Sequence, residues 1–199
     1  MKNKAKTLFI FEGGKTEDKF VEKLEANFLG ERHAIKCVYD AEIYQLYKTI
    51  KAEDGFFDIV SLLKDRKAEN AEALKEYERD SFAYIYLFFD YDAHSTMADD
   101  YKIEEMLTFF NDETENGLLY ISYPMVEATY DFVVGACTPF TECYMPVEKF
   151  GEYKTVSGTG NPVASWHFNY NEWSEAIKVF VLRIQCFFDQ GMRFTRLRG

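Results

Sequence analysis

Tyr84-Ile-Tyr-Leu-Phe-Phe-Asp-Tyr-Asp-Ala-His94 carries six apolar or aromatic residues without a break and then two aspartates. An unbroken run of this length predicts a strand buried on both faces, as in parallel sheets covered by helices. Open α/β sheets bind ligands outside the carboxyl ends of their strands. Asp90 and Asp92 therefore fall where such folds place their chemistry. Side chains of an extended chain alternate with period two, which predicts that both carboxylates point the same way. Like charges so placed repel unless a cation lies between them, and hard oxygen donors favour Mg²⁺ or Mn²⁺. The plainer reading is a solvated turn after a core strand.

Upstream, Thr7-Leu-Phe-Ile-Phe11 reads as a first strand running directly into Glu12-Gly-Gly-Lys-Thr-Glu17. The two glycines permit a tight turn. Thr16 is placed to cap a helix whose first turn holds Glu17 and Asp18, with Phe20, Val21, Leu24 and Phe28 on one face. Glu12 thus also lies at a strand's carboxyl end. Gly14-Lys15-Thr16 is not a nucleotide-binding P-loop, because that loop needs a glycine where Phe9 stands. Residues 34–39 read as a second strand, and residues 42–51 and 59–77 as helices. Residues 100–110 read as a helix, Asn116-Gly117 as a turn and residues 118–122 as a further strand. Pro124 then favours a helix start, which puts Glu127 in a first turn as a third carboxylate at that end of the sheet. Its alternative is a glutamate that merely complements the helix dipole. Beyond Cys137 the pattern weakens until a last helix at residues 172–189, with Asn171 as its cap and Trp173, Ile177, Phe180, Val181 and Ile184 apolar. The predicted division is residues 1–135 as an α/β domain and 136–199 as a loop and helical appendage.

The 199 residues suffice for a real core. Aromatics are plentiful, with 19 Phe and 14 Tyr. The four cysteines are scattered and form no Cys-x-x-Cys pair, which argues against a zinc site. Residues 7–11 are too short for a signal core and no apolar run approaches a membrane span, so a cytoplasmic protein is expected. The net charge of −11 argues against non-specific duplex binding by the bare chain. A metal in the acidic cleft, a partner with a basic surface, or a substrate other than long nucleic acid would each reconcile the charge with function.

An early strand, glutamate and glycine turn, followed by a later strand ending in Asp-x-Asp, resembles the Toprim catalytic domain. The matching residues are Phe11-Glu12-Gly13 and Phe89-Asp90-Tyr91-Asp92. The run Glu12-Gly-Gly-Lys-Thr-Glu17 is most similar to the RloB and OLD-type Toprim proteins of prokaryotic defence systems. Their later Asn-Pro-x-x-Glu corresponds to Tyr123-Pro-Met-Val-Glu127, with tyrosine in place of asparagine. The resemblance covers about residues 7–133. It implies a mainly parallel sheet with helices on both faces, and metal-dependent cleavage of DNA or RNA in phage defence. It implies Mg²⁺ or Mn²⁺ at Asp90 and Asp92, with Glu12 sharing the ion or serving as general acid or base. Glu127 would hold a second ion, and Lys15 and His94 would meet phosphate. A partner protein, an ATPase in many such systems, would deliver substrate. Solvated side chains without a role are the plainer readings of Lys15 and His94.

Two other readings compete. Asp90-Tyr-Asp92 is similar to the Asp-x-Asp of haloacid-dehalogenase-type phosphatases, with Asp90 as nucleophile. That family has Gly-Thr next, where this chain has Ala93-His94, and places the motif near the N-terminus. The other is a degenerate Toprim module that binds a partner and cleaves nothing, since fold alone does not fix function.

Overall fold

A computed structural model describes residues 6–13, 21–23, 25–29, 34–53, 57–92, 95–122 and 168–189. The chain divides into two units, Met1–Tyr123 and Pro124–Gly199. The first is an α/β unit around a five-stranded sheet. Its strands are β1 (Lys6–Phe11), β2 (Ala34–Val38), β3 (Phe82–Asp90), β4 (Asn111–Asp112) and β5 (Gly117–Ser122). Their order is β2-β1-β3-β5-β4. All neighbours are parallel except the short β4, which runs antiparallel to β5.

This order fixes where a ligand can sit. From β1 the chain crosses to β2 on one side. From β3 it crosses to β5 on the other. The reversal between β1 and β3 is a topological switch point, the place where open α/β sheets bind ligands, and Glu12 and Asp90 stand at the carboxyl ends of these two strands.

Among the described residues, four α-helices follow β2 and β3: α1 (Ile43–Ala52), α2 (Ile59–Arg66), α3 (Ala68–Ala73) and α4 (Asp100–Phe109). They pack on one sheet face, where Leu8, Ile10, Ile85, Leu87 and Phe89 are buried with Ile43, Leu46, Leu63, Ile103 and Met106. The opposite face carries Phe9, Phe11, Tyr86 and Phe88, covered at β1 by Val21 of the helical segment after it. Right-handed crossovers require this division, because the β1–β2 connection runs opposite to the others.

The expectation of a β3 buried on both faces is corrected. Ile85, Leu87 and Phe89 are buried, but Tyr86 and Phe88 are only partly so and Tyr84 is 37 % exposed. The apolar run lacks alternation because its outer positions are aromatic. They shield one another ring against ring across the strands, as Phe11–Phe88 and Phe88–Tyr120 do.

The helix expected over residues 59–77 is two helices. Lys67 between them is extended (φ −142°, ψ 138°). That break turns Asn70 onto the outer edge of β2. Its side chain accepts from Val38 N at 3.1 Å, and donates to Val38 O at 2.9 Å and Leu63 O at 3.2 Å. A buried amide thereby pairs the groups that an edge strand leaves open. Asp58 and Asp99 cap α2 and α4 by accepting from Val60 N and Tyr101 N. The Asn116-Gly117 turn holds, and Gly117 has φ +118°. A β-carbon there would lie 2.6 Å from Leu87 Cδ1.

In the segment after β1, Val21 is buried as expected, but Phe28 is 38 % exposed. Residues Glu25–Leu29 form a widened π-type turn, which shifts Phe28 off the helical stripe. Thr16, Phe20 and Leu24 lie outside the described residues.

In the second unit, α5 spans Tyr170–Asp189. Its cap is Asn169 rather than Asn171: Asn169 Oδ1 accepts from Asn171 N and Glu172 N, while Glu172 returns a bond to Asn169 N. This reciprocal box fixes the start two residues earlier than the apolar pattern implied. Trp173 and Ala176 are buried, whereas Ile177 and Val181 are about half exposed. Among the described residues no helix is long and apolar enough to cross a membrane.

Candidate active site

Glu12 follows β1 directly, and its backbone continues the parallel ladder on both sides. Its N–H donates to Phe88 O at 3.0 Å, and its carbonyl accepts from Asp40 N at 2.9 Å. The residue is therefore held by β2 and β3 together. Its side chain turns toward β3, where Oε2 accepts from Asp90 N at 2.9 Å. Asp90 is the last residue of β3, paired in register with Ser122 of β5.

Asp92 reaches the same place by a different route from the one expected. Its φ is +44°, so the chain has left the extended conformation and the period-two argument does not apply to it. Aspartate tolerates this left-handed backbone better than most residues. A turn closes behind it, with Ser95 N donating to Asp92 O at 2.9 Å. The bent chain still brings the Asp92 carboxyl into hydrogen bonding with Glu12.

Glu12 is pushed up from 4.5 to about 8. Burial is the largest cause, and the charges of Asp92 and Asp90 add to it. The Asp90 N–H opposes the shift by favouring the ionised form. At neutral pH the cluster thus holds Glu12 mostly as the neutral acid. This predicts a pH-dependent stability in metal-free buffer. The folded value lies above the unfolded one, so the contribution is complete below pH ~4.5 and is lost as pH rises through about 8. Discounted for partial solvent screening, the loss is about 2 kcal/mol. Denaturant unfolding between pH 5 and pH 9 should show it in the wild type, and a flatter profile in Glu12→Gln. Parallel profiles would contradict the assignment.

Two features of the site escaped the sequence. Tyr44, from α1, is buried and donates its hydroxyl to Tyr91 O at 3.1 Å, fixing the backbone between the two aspartates. Burial pushes its phenol up to about 12, so it remains a donor. Tyr91 in turn hydrogen-bonds Asp100 at the start of α4. Only the fold brings Tyr44 and Tyr91 together, since nothing in their local sequence pairs them. No family model, curated protein or solved structure matches the chain. The chemistry must therefore be read from the site itself.

Of the residues singled out in the sequence, Glu12, Asp90 and Asp92 meet at the carboxyl ends of β1 and β3. Lys15, His94 and Glu127 lie outside the described residues. Among the described residues no group of three His, Cys, Asp or Glu side chains is arranged as a metal site. The donor chemistry nevertheless suits a hard divalent cation, because all three groups are carboxylates and the charges of Asp92 and Asp90 raise the cost of ionising Glu12. A cation would remove that cost.

Proposed function

We propose that the chain is a Toprim-like nuclease, hydrolysing phosphodiester bonds of nucleic acid with Mg²⁺ or Mn²⁺. The observation that carries this reading is the meeting of Glu12, Asp90 and Asp92 at the topological switch point, with Glu12 raised to about 8 by burial and by its acidic neighbours. Asp90 and Asp92 would hold the ion, Glu12 would share it, and Glu127 would serve a second one. The ion would supply charge stabilisation at the phosphate and a more acidic bound water.

The protein's own part is positioning and proton transfer. The β-ladder on both sides of Glu12 and the Tyr44 clamp on Tyr91 hold the carboxylates without reorganisation. Glu12, with a value near neutrality, is suited to hold or release a proton at its Oε atoms. Residues 136–199 are read as an appendage to this domain. Lys15 and His94 are proposed to contact phosphate, and the setting to be phage defence in the cytoplasm.

The net charge of −11 favours a partner protein that supplies basic surface, with an ATPase as the proposed type. It also favours the second reading, a binding module without turnover. Labelled DNA and RNA, incubated with the chain and Mn²⁺, with and without a protein encoded beside it, separate the two. The nuclease reading expects cleavage that EDTA stops. No cleavage of any nucleic acid under all these conditions leaves the binding module.

A further inference from the structure

We infer that Tyr120 takes an unpaired base of the substrate, so that the nuclease proposed above acts on single strands in preference to duplex. The inference rests on that nuclease reading and adds its substrate class.

Three rings stand in one register row across the sheet: Phe11 of β1, Phe88 of β3 and Tyr120 of β5. Phe11 and Phe88 stack with centroids 5.1 Å apart and planes 13° apart. Phe88 and Tyr120 stack at 5.2 Å and 14°. The row is therefore a continuous column of near-parallel rings, and Tyr120 is its last member. Among the described residues no strand pairs with Tyr120 on its outer side, because β4 pairs with Gly117 and Leu118. Tyr120 is accordingly 47 % exposed. A flat aromatic group laid on its outer face would extend the column by one step.

The row lies directly behind the carboxylates. Phe11 precedes Glu12, and Phe88 and Tyr120 each stand two residues before the Asp90–Ser122 pair. Two residues along a strand span roughly 7 Å, about the reach of one nucleotide. A strand whose phosphate sits at the carboxylates would thus bring a neighbouring base to Tyr120. The net charge of −11 leaves the chain poorly fitted to hold nucleic acid by its phosphates alone. Stacking does not depend on charge, and every base has a face to offer once it is unpaired. In a duplex those faces are occupied by neighbouring bases.

The test compares Mn²⁺-dependent cleavage of one labelled sequence, single-stranded and duplex, by the wild type, Tyr120→Ala and Tyr120→Phe. Binding of the same oligonucleotides is followed by fluorescence anisotropy in an Asp90→Asn background. Melting temperatures check that each variant folds, with Tyr120→Leu as a second ring-free variant. The expected result is faster cleavage of the single strand. Tyr120→Ala and Tyr120→Leu should raise its KM about tenfold, and Tyr120→Phe should restore it. Duplex cleaved as well as single strand, or a KM unmoved by loss of the ring, would overturn the inference while leaving the nuclease reading intact. Ring-dependent binding of single strands without any cleavage would do the reverse.

Discussion

Replacing Asp90 by asparagine is expected to lower metal-dependent cleavage about 10³-fold, equivalent to ~4 kcal/mol on the barrier. The substitution keeps the size and shape of the side chain. It keeps the backbone N–H that Glu12 accepts, so the fold should survive. What it removes is one negative charge from the proposed ion site. Glu12→Gln should cost less, about 10²-fold, through the loss of a proton-transferring group. In the free protein Glu12 is mostly neutral at pH 7, so glutamine matches its charge there. Rates on a labelled oligonucleotide, with melting temperatures as the folding control, decide the matter. Cleavage unchanged in both variants would place the activity elsewhere.

Asn70→Ala should destabilise the fold by about 3 kcal/mol. Asn70 is 4 % exposed and serves three backbone groups. Alanine would leave the N–H and C=O of Val38 without their protein partner on an edge strand, together with a cavity. Val38 adjoins Tyr39, whose N–H bonds Phe11 O, and Asp40 N bonds Glu12 O. The damage should therefore reach the candidate site as well as the core. Urea unfolding should show a lower midpoint at an unchanged slope. A loss below about 1 kcal/mol would mean that water replaces the amide without penalty.

Strands β1, β2, β3 and β5 and the placement of Glu12 and Asp90 at their carboxyl ends were legible because local pattern decides them. The apolar runs of β1, β3 and β5 end where glycine, aspartate or proline interrupts them. Glu12 and Asp90 come together because parallel strands must all finish at the same edge. What was not legible depends on partners distant in sequence. Whether Tyr84 and Tyr120 are covered cannot be read from an apolar run, since aromatic rings suit a buried face and a half-exposed one equally. The break at Lys67 is invisible to helix periodicity, because it serves Asn70 and an edge strand some thirty residues earlier. Beside the left-handed turn at Asp92, the backbone is held by Tyr44, which bonds Tyr91 O from 47 residues earlier and has no local signature there. In α5 the apolar stripe was visible, but not that Ile177 and Val181 would remain exposed.

Glu12, Asp90 and Asp92 are proposed to form one divalent-cation site. Titration calorimetry of Mn²⁺ into the wild-type protein and into the Asp90→Asn, Asp92→Asn double variant tests it most directly. The account predicts saturable binding to the wild type, with the heat lost in the variant while both proteins remain folded. Equal Mn²⁺ binding by both, or none by the wild type, would contradict it.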